Sequence, residues 1–139
     1  MVQSDVKYDE GVTPSSGGVG RHDKYTTRLT RLQNLGNSGW YADLNMYGQQ
    51  ATGNLDSYSK LFLGGANAVR AYAGGEVGGD TAYVGQFALG KSWTMRYNGQ
   101  GLKTSVSTFY DRGWARISEN PVSSADNQTT RAGWGFEVK

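Results

Sequence analysis

The chain has 139 residues, with no cysteine, one histidine, two prolines, 21 glycines and a formal net charge of +2. The lack of cysteine excludes disulfides, thiol nucleophiles and zinc–cysteine sites. The small charge, spread along the chain, gives no footprint for nucleic acid, and no run of about 18 apolar residues exists that could form a membrane-spanning helix.

One domain, 1–139, is expected at this length. No basic start is followed by an apolar run, so no signal peptide is expected. Mean hydropathy is −0.60, yet nine Tyr and four Trp accompany a glycine content roughly twice average. Transmembrane β-barrels have this mixture, with an apolar outer face, a polar inner face and aromatic girdles. Disorder is disfavoured by the aromatic content and the low net charge.

Period-2 alternation, which sends neighbouring side chains to opposite faces of a strand, marks the elements in chain order. Residues 2–9 alternate Val2, Ser4, Val6 and Tyr8 against Gln3, Asp5, Lys7 and Asp9. Residues 21–35 form a long mixed run, with Tyr25, Leu29 and Arg31 on one face and Leu32 on the other. Residues 40–48 are the clearest case: Trp40, Ala42, Leu44 and Met46 oppose Tyr41, Asp43, Asn45 and Tyr47. Leu61 and Leu63 share a face in 57–64. Tyr83, Phe87 and Leu89 share one in 80–93. In 102–113, Leu102, Val106 and Tyr110 oppose Phe109, Asp111 and Gly113. In 130–139, Ala132, Trp134, Phe136 and Val138 oppose Arg131, Gly133, Gly135 and Glu137. Turn signals fall at 14–20, 36–39, 52–56, 98–101 and 120–127. Single-chain bacterial barrels have an even number of strands, and an eighth strand at 67–74 would supply it. The expected fold is therefore all-β, a small antiparallel transmembrane β-barrel of eight strands. A soluble β-sandwich binding module also alternates in this way, but its core favours Ile, Val and Leu over Trp, Tyr and Gly.

Residues 60–80, KLFLGGANAVRAYAGGEVGGD, stand out. A glycine-rich loop follows Leu63 and carries one cation, Arg70, between Val69 and Tyr72, with Glu76 and Asp80 before the next strand. This segment resembles the loop of two-partner secretion transporters of the haemolysin secretion/activation type. These outer-membrane proteins have a pattern close to LGG-x-x-x-VRGY, followed by GE-x-x-GD. The matching residues are Gly64, Gly65, Val69, Arg70, Tyr72, Gly75, Glu76 and Asp80. A second family pattern, F-x-D-x-G, is met by Phe109, Asp111 and Gly113. RLTRLQNL resembles the family's strand preceding the loop. The resemblance extends from about Asp5 onward and corresponds to the carboxy-terminal half of the barrel. It implies a wall motif whose Asp111 meets Arg70 inside the lumen. It further implies residence in the bacterial outer membrane of a Gram-negative organism, a lipid-bilayer environment, and a role in protein transport with an exported polypeptide as partner. No cofactor is implied.

The chain departs from the family at several points. Ala71 replaces the motif glycine. Gln86 stands where the strand after the loop usually carries an acid. The chain ends on Phe136, Glu137, Val138 and Lys139 rather than on an aromatic residue, and counterparts of the family's periplasmic domains are absent. The family's pore has about sixteen strands, and spans of about 10 residues each exceed this chain. At most an eight-stranded barrel can close, with its interior filled by side chains. The expected function is an integral outer-membrane barrel too small to translocate protein alone. The alternatives are a segment active only in a larger pore or oligomer, and the soluble module.

Other candidates are weaker. His22 beside Asp23 lacks the nucleophile elbow that a hydrolase triad needs, so no catalytic residue is assigned and no enzyme is expected. The group Asp5, Asp9 and Glu10 lacks the glycine and terminal glutamate of a calcium loop, so no metal site is assigned. Arg28/Arg31 and Arg112/Arg116 read as rim charges near lipid headgroups. Trp40, Trp93, Trp114 and Trp134 read as girdle residues, with Leu44, Met46 and Phe136 facing lipid.

Overall fold

The computed structural model describes residues 2–15, 18–123 and 126–139; for 2–15 and 18–22 it describes the backbone alone. The side chains of Asp5, Asp9, Glu10 and His22 therefore lie outside the described residues. The elements are β1 (Val2–Ser15), β2 (Gly18–Leu35), β3 (Trp40–Ala51), β4 (Leu61–Phe62), β5 (Gly78–Gly79), β6 (Thr81–Tyr97), β7 (Gln100–Arg116) and β8 (Gln128–Val138). The protein is all-β. Six long strands form one antiparallel sheet in the order β1-β2-β3-β6-β7-β8, and β4 and β5 form a separate two-stranded pair.

The sheet is open among the described residues, because β1 and β8 lie at opposite edges and do not pair. Two of the expected strands are not long strands. In 57–64, the Asp56 carboxylate accepts the amides of Tyr58 at 3.0 Å and Ser59 at 2.9 Å. This side chain-to-backbone turn bends the chain, and only Leu61 and Phe62 enter a ladder, with Gly79 and Gly78. In 67–74 the backbone groups turn inward instead of pairing with β6. Ala68 N donates to Gly65 O at 3.0 Å, Tyr72 N to Val69 O at 3.1 Å and Gly65 N to Tyr72 O at 3.0 Å.

The two long connections, 52–80 and 117–127, both cross one end of the sheet, and residues 36–39 and 98–99 link neighbouring strands tightly at the other. The tightest link among the described residues is Asn98-Gly99, with φ of 49° and 77°. Both residues are left-handed, as in the two-residue hairpin turn whose twist matches that of the flanking strands.

The register fixes which residues share a face. Asn45, Gln86, Asp111 and Gly133 form one rung of four strands, and Tyr47, Val84, Gly113 and Arg131 form the next. This face carries the polar residues and is covered by the 52–80 segment; we call it the loop face. On the other, open face, Arg31, Leu44, Phe87, Tyr110 and Trp134 share a rung. Trp40, Met46, Trp93, Trp114 and Phe136 lie on this same face by parity. Large apolar side chains stay exposed there, with Trp134 at 71 % and Phe136 at 73 %. Arg31, Arg112 and Arg116 project from the open face, but Arg28 shares a rung with Tyr47 and so sits on the loop face, away from the rim position expected for it. One residue of spacing in a strand reverses the side.

The buried cluster does not lie between two sheets. Leu63 and Ala68 of the loop pack on Ala82, Val84 and Ala115 of β6 and β7, with Leu61 against them. The hydrophobic core is thus the seam between the loop and the wall.

The Asn98-Gly99 turn generates a prediction. A Cβ in the left-handed region costs roughly 1–2 kcal/mol. Gly99→Val should lower the unfolding free energy by that amount and shift the denaturant midpoint down accordingly, while Gly99→Asn should stay close to the parent. Equal midpoints for the two variants would contradict the turn geometry.

Candidate functional site

Asp111 organises the site. Alternation places it on the loop face of β7, opposite Gln86 and Gly133, and it is fully buried. A bare carboxylate there would be costly, so it must be paired. The loop supplies the partner. Arg70 Nε donates to Asp111 Oδ2 at 2.8 Å and Arg70 Nη2 to Oδ1 at 2.7 Å. The Arg70 backbone N–H adds a third bond to Oδ2 at 3.0 Å. The two side-chain bonds form the fork geometry that arginine offers a carboxylate.

Two neighbours complete the arginine's surroundings. Its guanidinium carbon lies 3.9 Å from the centroid of the Phe109 ring, a cation–π contact. Glu137 Oε2 approaches Nη1 at 3.8 Å. The hydrogen bond to Asp111 raises the guanidinium's pKa above its ordinary value, while burial pulls the other way. A raised cation contributes stability below its unfolded value and loses it only as pH climbs through the folded one. Arg70 therefore stays charged throughout the ordinary pH range.

Close approach of loop and wall requires missing side chains. A Cβ at Gly113 would stand 3.0 Å from Leu63 Cδ2 and 3.2 Å from Val69 Cγ2. A Cβ at Gly133 would collide with the Cβ of Ala71, so β8 leaves room for the alanine that occupies the motif's glycine position. Gly64 sits where any side chain would strike the Ala73 carbonyl, and Gly65 has φ of 110°. Tyr72 lies under Arg131, 5.6 Å from its guanidinium carbon. Gly75 and Glu76 are exposed, and Glu76 makes no ion pair among the described residues.

The base of the loop has its own anchor. Asp80 is fully buried. Its Oδ1 accepts the Leu55 amide at 3.1 Å and pairs with Lys60 Nζ at 3.0 Å, while Oδ2 accepts the Glu119 amide at 2.9 Å. Lys60 also donates to the Ile117 carbonyl at 2.5 Å. One carboxylate thus holds both ends of the long loop and the neighbouring 117–127 segment. Gln49, buried on β3, donates to the carbonyls of Ser59 and Asp80.

Sequence reasoning missed three participants: Lys60, Gln49 and the role of Gln86. Gln86 Nε2 donates to the carbonyls of Ala66 at 3.0 Å and Ala68 at 2.8 Å. A carboxylate cannot donate these bonds, which gives a physical reason for an amide at this position. Only its place on the polar parity of the strand signalled it. The structure brings Arg70, Phe109, Asp111, Gly113 and Val69 together at one point; Trp40, Leu44, Met46, Trp93, Trp114, Trp134 and Phe136 lie on the opposite face. Among the described residues no group of three His, Asp or Glu is arranged to hold a metal ion.

Comparison with protein-family models, with curated proteins and with solved structures finds no match for this chain.

Two predictions come from this geometry. Arg70→Ala should cost about 3–5 kcal/mol, since it leaves the buried Asp111 carboxylate unpaired; Asp111→Ala should cost less, since Arg70 is part-exposed and keeps Glu137 beside it. The double variant should cost clearly less than the sum, as measured by denaturant unfolding; additive effects would contradict the lock. Gln86→Glu should cost about 1–3 kcal/mol by leaving loop carbonyls unpaired and should speed tryptic cleavage after Arg70. Unchanged cleavage would show that Gln86 does not hold the loop.

Proposed function

We propose that the chain is a sector of the wall of a transmembrane β-barrel in the bacterial outer membrane. In this reading the open face meets lipid and the 52–80 loop folds into the lumen. The observation that carries it is the division of the two faces. One presents exposed Trp, Phe, Leu and Met with no second sheet over it among the described residues. The other holds a loop locked by a buried ion pair. A soluble sandwich would cover the first face with a second layer. Both long connections cross the same end of the sheet, which also suits a barrel of this type.

The loop bears on the width of that barrel. Eight strands leave an interior just wide enough for side chains. Here a folded segment with its own buried residues Leu63 and Val69 occupies the inner side. A wider barrel accommodates it, with the free edges of β1 and β8 continued by further strands, whether of a longer chain or of other copies. This favours the larger-pore reading over a closed eight-stranded barrel. The role that follows, by resemblance to two-partner secretion transporters, is participation in polypeptide export with Arg70–Asp111 holding the loop in the passage.

The test is insertion into lipid. Leu44→Arg places a cation amid the open face and should reduce folding into bilayers by about 2–4 kcal/mol. Asn45→Arg, one residue along on the loop face, should be tolerated much better. Equal effects of the two would overturn the assignment of faces.

A further inference from the structure

On β3, β6, β7 and β8 the carboxylates are sorted by face: Asp43, Asp111 and Glu137 all share the loop face. The open face of β3, β6 and β7 carries only cations: Lys91, Arg112 and Arg116. Arg116 pairs with Glu119 at 2.8 Å, and Lys91 lies over the Trp40 ring. Arg112 is exposed and has neither an ion pair nor a hydrogen bond among the described residues.

Arg112 borders a depression of about 590 Å³ on the open face, lined by Leu29, Met46, Gly48, Gly85 and Trp114. Two glycines form its floor. The Tyr83 ring leans over Gly48, where a Cβ would stand 2.9 Å from Cδ1, and nothing lies within 4 Å of a Cβ at Gly85. Tyr83 and Trp114 stack at 6.0 Å and form one wall. The result is an apolar trough with one unpartnered guanidinium at its side and an indole two residues farther along the strand.

We propose that this trough binds one anionic phospholipid, with an acyl chain along Gly48 and Gly85 and the phosphate held by Arg112. The inference rests on the wall reading given above, which puts this face in lipid. A cation there is costly without a counter-charge. The face offers no carboxylate beside it, so the counter-charge must come from outside the sheet. A guanidinium fork matches phosphate oxygens in two places. Indole and phenol rings favour the level of the headgroups, which sets the phosphate beside Trp114. The apolar lining takes the acyl chain, which lies over Gly85, where no side chain stands in the way.

Tryptophan quenching by brominated lipids tests this on the full chain reconstituted in phosphatidylcholine bilayers. Brominated phosphatidylglycerol is compared with brominated phosphatidylcholine at equal mole fraction, and subtraction of the Trp114→Phe variant isolates Trp114. Phosphatidylglycerol should quench Trp114 several-fold more strongly. Arg112→Gln should bring the two lipids to parity, Arg112→Lys should retain part of the preference, and Arg31→Gln, elsewhere on the same face, should leave it intact. Equal quenching in the parent, or a preference that survives Arg112→Gln, overturns the site while leaving the wall reading standing. If Trp114 is shielded from both lipids while the other tryptophans are quenched, and the mass in detergent is doubled, a second copy fills the trough and the lipid site is again overturned. Absence of quenching by either lipid at every tryptophan overturns the wall reading and this site together.

Discussion

A buried carboxylate held by one loop residue determines how this protein is arranged. Asp111 has no solvent exposure, and its charge is satisfied by three donors from one loop residue. Everything near it serves that approach. Gly113 and Gly133 remove side chains so that the loop can lie flat on the wall, and Phe109 offers its ring to the guanidinium. Gln86 secures the adjacent loop carbonyls. Because strand side chains alternate, placing Asp111 on the loop side also sends Tyr110 and Arg112 to the other side. The apolar open face and the charged lock are consequences of one register.

The loop is held at two separate places. Arg70 fixes its middle, and Asp80 ties its base to Leu55, Lys60 and Glu119. The buried apolar residues lie between these anchors, on Val84 and Ala115. The loop is thus packed as part of the core, although its glycine-rich sequence reads as an open surface segment. Losing the middle anchor leaves the base anchor in place, so release of the middle is a local event and not the departure of the whole segment.

Much of the sheet was legible in the sequence. The alternation at 40–48, 102–113 and 130–139 corresponds to β3, β7 and β8 and gives their faces directly, because polar and apolar residues are cleanly separated there. The separation is blurred in 21–35, where Arg28 and Leu32 share the loop face and Leu29 and Arg31 the open one. The run Leu61-Phe62-Leu63 has the composition of a strand but serves as the loop's apolar foot, and no local pattern distinguishes the two. The Arg70–Asp111 contact spans 41 residues. The residues alone gave the charge of Arg70 and the parity of Asp111, and the resemblance supplied their meeting. Lys60, Gln49 and Gln86 act through contacts with backbone carbonyls distant in the chain, which leave no motif behind.

The sheet has a loop-bearing polar side and a bare apolar side, and the proposed function sets the apolar side against lipid. The most direct test is a nitroxide scan of β6, with single cysteines in turn from Ala82 to Leu89 on the chain reconstituted in bilayers. The account predicts a two-residue period. Labels at Tyr83, Gly85, Phe87 and Leu89 should be accessible to oxygen and shielded from a water-soluble nickel chelate. Labels at Ala82, Val84, Gln86 and Ala88 should be poorly accessible to oxygen. Equal accessibility of both sets to oxygen, or ready access of the nickel chelate to the labels at Tyr83, Gly85, Phe87 and Leu89, would contradict the separation of lipid and loop faces.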